Sequence, residues 1–129
     1  MAPHYDDHHR WLRMEVGDGT EQLLATGFRG REAISELFRF TVTFVVRVGR
    51  APAFDKILGQ SLRLFVSVPG SPERMIDGVV CALRQTRTDA HFTYLEADVA
   101  PQVWLLTKTV RSRIFQQMTV PEILAKVFA

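Results

Sequence analysis

Cysteine is almost missing from this chain: Cys81 is the only one in 129 residues. A disulfide framework within the chain is therefore excluded, and the usage fits synthesis in a reducing compartment. With no adjacent histidine or CxxC partner, Cys81 reads as a small buried side chain rather than a nucleophile or redox centre. Long apolar runs are missing as well; none approaches the roughly 20 residues that cross a bilayer as a helix. The opening MAPHYDDHHR is polar and acidic where a secretory leader is basic and then apolar, so no signal peptide is expected. Lysine is scarce, three against thirteen arginines. The net charge of +2 and pI near 9.0 make no strong positive field. Arginine's planar fork suits carboxylate pairing and packing at interfaces, where lysine mainly solubilises.

Motifs of catalysis are also lacking. There is no Walker loop, no GxGxxG and no spaced Cys/His metal set. Ser35, Ser61 and Ser67 have no nucleophile-elbow context. Glu96 and Asp98 alternate onto one face of a strand, as an acid–base pair would require. A solvated face beside basic neighbours explains them better. His91 stands alone at a hairpin tip. His4, His8 and His9 lie among Asp6 and Asp7, a mixture that can share a transition metal. No ordered scaffold is evident to hold such ligands, so residues 1–10 are expected to be a flexible tail. No enzyme activity, cofactor or metal is expected.

What is present is a pattern of period two. Hydrophobic residues make up 47% of the chain and charged ones 23%, ordinary values for one globular domain. Trp11–Val16 alternates, Gly17-Asp18-Gly19 permits a reversal, and a short strand is expected around Leu23–Phe28. The clearest alternation covers Leu37–Val48, with Phe38, Phe40, Val42, Phe44, Val46 and Val48 on one face and Arg39 and Arg47 on the other. Its length calls for a curved antiparallel sheet. Phe54–Leu58 reads as one helical turn closed by Gly59. Ser61–Val68 alternates again, with Arg63 opposite its apolar face. Arg74–Arg87 is a long strand with Gly78 as a bulge or bend. Thr88-Asp89-Ala90 is a hairpin tip, and Phe92–Val99 returns until Pro101.

Near the end, Thr119-Val120-Pro121-Glu122 is a capping box. It starts a helix whose stripe is Ile123, Leu124, Val127 and Phe128. The expected fold is mainly β: an antiparallel barrel of about six to seven strands, with one or two short helices. A small barrel that binds single-stranded nucleic acid through Phe38, Phe40 and Phe44 beside Arg39 and Arg47 is the alternative. The alternation opposes it, because it sends the rings and the arginines to opposite faces.

Three stretches carry a family resemblance: FRGREAISELFRFTVTF (28–44), ILGQ (57–60) and WLLTKTVRSRIFQQMTVPEILAKV (104–127). Together they resemble the N-terminal hub region of VgrG, the spike protein of bacterial type VI secretion, itself similar to contractile-phage baseplate hubs. The resemblance implies a structural role without turnover, in a trimer of such protomers docked on a hexameric Hcp-type tube. It also implies export by the type VI machine without a signal peptide, no small-molecule substrate, and membrane contact only through the full-length spike. It assigns residues 11–117 to a tube-type barrel and 118–129 to the start of a helix leading to a further hub segment, absent from this sequence. Arg39, Arg47, Arg63, Ile123, Leu124, Val127 and Phe128 are the expected interface residues.

Overall fold

The computed structural model describes residues 10–21 and 23–129. The expected tail, with His4, His8, His9, Asp6 and Asp7, lies outside the described residues except for Arg10. Six strands follow in chain order: β1 (Leu12–Val16), β2 (Leu24–Arg31), β3 (Arg39–Arg47), β4 (Ser61–Val66), β5 (Arg74–Thr88) and β6 (Phe92–Ala100). A 3₁₀ turn covers Phe54–Lys56, a longer 3₁₀ segment covers Gln102–Lys108, and one α-helix, α1, covers Val120–Phe128. All strand neighbours are antiparallel, in the order β1-β4-β5-β6-β3-β2. The sheet curls until its end strands β1 and β2 approach each other. The Arg10 guanidinium reaches over this seam and donates to the Ala25 carbonyl at 2.8 Å.

Alternation decides what the curl encloses. Leu12, Met14, Val16, Val42, Phe44, Leu62, Leu64, Leu95, Ala97 and Val99 are all buried in one cluster. Directly opposed residues supply it from neighbouring strands, such as Phe44 with Leu95 and Val42 with Ala97. Ile57 enters the same core from the 3₁₀ turn, and Gly59 closes that turn at φ +79°, as its sequence position anticipates. The strands are shorter than the alternation suggested. Val48 and Val68 lie beyond β3 and β4 and are about half exposed. After Pro101, which has no amide to continue a ladder, the chain has no strand.

β5 is the long element, and it changes partner midway. Residues Arg74–Val79 pair with β4, and Val79–Thr88 pair with β6. The crossover needs a glycine. A Cβ on Gly78 would lie 2.5 Å from the Ala100 carbonyl oxygen and 2.7 Å from a Val99 methyl. The register shifts come later than expected, between Val80 and Ala82 and between Gln85 and Arg87. A second close approach occurs at Gly30, directly opposite Phe40, whose ring occupies the space a Cβ would need. Phe28 and Phe38 tilt against Phe40 at centroid distances of 6.2 and 5.5 Å, so an aromatic cluster covers the glycine that the strand itself leaves bare. Gly78→Ala is expected to destabilise the fold by about 3 kcal/mol, because the clash is with backbone rather than a movable side chain. Urea unfolding measures it, and a midpoint equal to the parent's would show that the crossover tolerates a side chain.

Candidate functional site

The outer face of the sheet, opposite the core, is where polar chemistry gathers. Period two sends Thr41, Thr43 and Val45 of β3 outward, beside their directly opposed partners Asp98, Glu96 and Tyr94 of β6. From the other side, β5 places Ala82, Arg84 and Arg87 against the same three positions. Arg84 reaches diagonally to Asp98, with Nη1–Oδ2 at 2.9 Å and Nη2–Oδ1 at 3.0 Å, a bidentate fork. It also touches Glu96 at 3.4 Å, while Arg29 of β2 approaches Glu96 at 3.6 Å. The Thr41 hydroxyl donates to Asp98 at 2.8 Å. Although they face outward, the Asp98 and Glu96 side chains are only 15% and 22% exposed. The longer side chains on either side cover them.

This arrangement resolves the carboxylate pair. Arg84, first by hydrogen bonding, holds the Asp98 carboxyl below its ordinary range, with Thr41 adding to the effect against the opposing pull of burial. The same contacts raise Arg84 above its usual value. A general acid must hold its proton near neutrality, and Asp98 is driven the other way. Glu96 and Asp98 are members of a charge-compensated network.

The hairpin tip is ordered by Asp89. Its Oδ1 accepts from the His91 and Phe92 amides, both at 2.8 Å, and its Oδ2 accepts from the Tyr94 hydroxyl at 2.9 Å. These bonds lower Asp89 and raise Tyr94. The Arg87 guanidinium stacks on the Tyr94 ring at 3.7 Å. His91 contributes its backbone to the turn, as turn chemistry anticipated. Cys81 is half-buried rather than buried, because β4 no longer flanks this part of β5; its thiol points to the Asp98 carbonyl at 3.3 Å. Among the described residues no group of three His, Cys, Asp or Glu is placed to hold a metal. A shallow cavity of about 170 Å³ opens between Gly59, Ser61, Asp77, Gly78, Gln102 and Leu105. Of the residues weighed for catalysis from the sequence it holds only Ser61, and none of the expected interface residues.

The expected interface residues fall in separate places. Arg39 and Arg47 stand at opposite ends of β3, both exposed. Arg63 sits on β4 beyond the β5 crossover and pairs with Glu15 at 3.4 Å. Ile123, Leu124, Val127 and Phe128 lie on α1, no residue of which is buried. Glu122 accepts from the Thr119 amide at 2.7 Å, so it returns the bond expected of the capping box. Arg113 donates to the Lys126 carbonyl at 3.0 Å, a cation at the negative end of the helix. The aromatic-and-basic platform of a nucleic-acid barrel does not form on β3. Phe40 and Phe44 are buried and Phe38 packs on the core, while Arg39 and Arg47 face outward. Arg84, Arg29 and Thr41 are the residues the sequence reading missed.

Because Asp98 is depressed in the folded state, its contribution to stability is present above the ordinary carboxylate value of about 3.9 and fades as the pH falls below it. Asp98→Asn is expected to lower the thermal midpoint at pH 7, with the difference from the parent closing toward pH 3. A difference that stays constant over that range would mean that the ion pair is not its source.

Comparison with known proteins fits this picture. Residues 31–129 match the phage tail baseplate hub (GPD) family. The chain is 32% identical over 119 residues to the type VI secretion system spike protein VgrG1a of Pseudomonas aeruginosa, covering 92% of this chain and 18% of that protein. It is 31% identical over 124 residues to VgrG1c of the same organism, covering 96% and 17%. The chain thus spans less than a fifth of the length of these relatives. Among solved structures, it superposes on the E. coli c3393 protein, a type VI secretion component with structural similarity to the T4 bacteriophage tail proteins gp27 and gp5. The TM-score is 0.74 at 24% identity, covering 90% of this chain and 31% of that one. Matched by the family model over residues 31–129 and similar over most of its length to VgrG spike proteins, the chain belongs to the phage tail baseplate hub family.

Proposed function

We propose that this chain serves as the first barrel of a type VI secretion spike hub, a scaffold that packs against neighbouring protomers and docks on an Hcp-type tube without turning over a substrate. The observation that carries this reading is the outer face, where Arg84 and Arg29 neutralise Glu96 and Asp98 within the sheet. Such a face offers shape and hydrogen-bonding groups to a neighbour, and no proton to a substrate. Arg39, Arg47 and Arg63 are contact residues in this reading. So is the stripe of α1, where Leu124 is 47% and Phe128 60% exposed. Among the described residues no helix is long and apolar enough to cross a membrane. Export with the assembled spike is the route proposed for it.

Light scattering on the purified chain, followed by interferometry against an Hcp-type ring, tests the proposal. The expected outcome is a monomer at micromolar concentration that binds the ring. A stable trimer of the chain alone would overturn the monomer expectation, and no binding to the ring would overturn the docking. Leu124→Asp and Phe128→Asp are each expected to weaken association while changing barrel stability by less than about 0.5 kcal/mol, the range of ordinary surface substitutions. Loss of the β signal in circular dichroism would instead place α1 in the core.

A further inference from the structure

One edge of the sheet carries arginines that stay largely exposed although each has an acidic neighbour within the chain. β2 pairs with β3 on one side only. Among the described residues no backbone hydrogen bond reaches the far side of its second half, Phe28–Arg31. Arg29 and Arg31 stand two residues apart on the outer face, their side chains 68% and 78% exposed. Arg31 pairs with Glu36 at 3.4 Å, both exposed, the kind of ion pair that contributes little, and Arg29 reaches the partly buried Glu96 only at 3.6 Å. Arg39 lies directly opposite Arg31, and like charges in cross-strand register oppose the pairing of the strands that carry them. At the tip of the same hairpin, Ile34 is 97% exposed beside Ser35, whose φ is 64°. Charges on an edge strand also guard against unwanted pairing. A guard gains nothing from a fully exposed isoleucine next to it.

We infer that the free edge of β2 accepts an extended acidic segment of a partner protein as an added strand, its carboxylates two residues apart to meet Arg29 and Arg31. This rests on the reading of the barrel as an assembly module and names a contact that module makes. Strand addition supplies backbone hydrogen bonds for affinity, and alternate side chains supply the choice of partner. A second copy of this chain does not fit. Its only acids spaced two apart are Glu96 and Asp98, and they belong to β6, already paired on both sides. Single-stranded nucleic acid fits poorly as well. Phe28, Phe38 and Phe40 close on one another over Gly30, on the face away from the arginines.

The test uses the 129-residue chain and a fluorescein-labelled ten-residue peptide alternating Glu with Thr. Controls are the same peptide with Lys for Glu, one N-methylated at alternate amides, and labelled oligothymidylate. The Glu peptide is expected to bind, to lose affinity with added salt, and to slow hydrogen exchange at the amides of residues 28–31. The double variant Arg29→Glu/Arg31→Glu, checked for its fold by circular dichroism, is expected to bind it about tenfold more weakly, from two lost cross-strand ion pairs, and to prefer the Lys peptide. Equal binding of Glu and Lys peptides, or of the N-methylated peptide, would overturn the site, and tighter binding of oligothymidylate would replace it with a nucleic-acid surface. Ring docking that persists while the Glu peptide fails would overturn the edge site and leave the hub reading standing.

Discussion

Everything in this barrel hangs from the point where β5 exchanges one partner for the other. Up to Val79 the strand belongs with β4, and from Val79 onward it belongs with β6. Two further backbone bonds at 2.9 Å, Gly59 N to Val80 O and Val80 N to Gln60 O, continue the β4 side just past the exchange. The crossing brings the β5 backbone against Ala100 so closely that no side chain fits at Gly78. Without that approach the two groups of strands, β1-β4 and β6-β3-β2, would share no ladder. The apolar faces of both then have one centre to turn toward, and Leu62 and Leu64 from one group meet Phe44 and Leu95 from the other in a single cluster. The curl is thus a consequence of one long strand and one missing Cβ.

The same curl sets the electrostatics outside. Crowding by neighbouring strands removes much of the water from Glu96 and Asp98, though both face outward. Partly dehydrated carboxylates side by side are unfavourable unless cations are held between them. Arg84 fulfils that need because β5 sets it directly opposite Glu96 and within a diagonal reach of Asp98. Toward β2 the crowding ends. There the guanidinia of Arg29 and Arg31 are mostly in water, held by Glu96 at 3.6 Å and Glu36 at 3.4 Å. One face therefore holds a closely covered ion-pair network beside a more exposed one, with Glu96 touched by arginines of both.

The strands and the core were readable from alternation, since burial on one face leaves a period-two signature whatever the partners are. Phe40, Val42, Phe44, Leu62, Leu64 and Leu95 all lie where that period sends them. The capping box was equally plain, because its chemistry is local to four residues. Pairing across strands was not. Counting back from the tip, Thr88 opposite Thr93 leads without interruption to Arg84 opposite Ala97, on the wrong face. The bulge between Gln85 and Arg87 moves it by one residue and puts it opposite Glu96. No residue type announces that bulge, so the Arg84 clamp stayed hidden although each of its members was visible. Gly78 attracted notice as a bend, yet its reason is a carbonyl twenty-two residues away, which no local pattern carries.

The terminal segment follows a different physical rule from the barrel. A nine-residue helix is marginal in water by itself, and α1 buries none of its residues. What holds it is at its ends: Glu122 on the Thr119 amide, and the Arg113 guanidinium on the Lys126 carbonyl. Neither bond depends on the β5 crossover or on the packed cluster beneath it. The barrel core is likewise filled without Leu124, Val127 or Phe128. The side chains that stabilise the core are therefore not those of the helix stripe. A partner that covers the helix stripe or the β2 edge gains apolar burial or backbone bonds without competing with any contact the core uses. A small barrel built this way can be drawn into a larger assembly at its margins while its interior stays as it is.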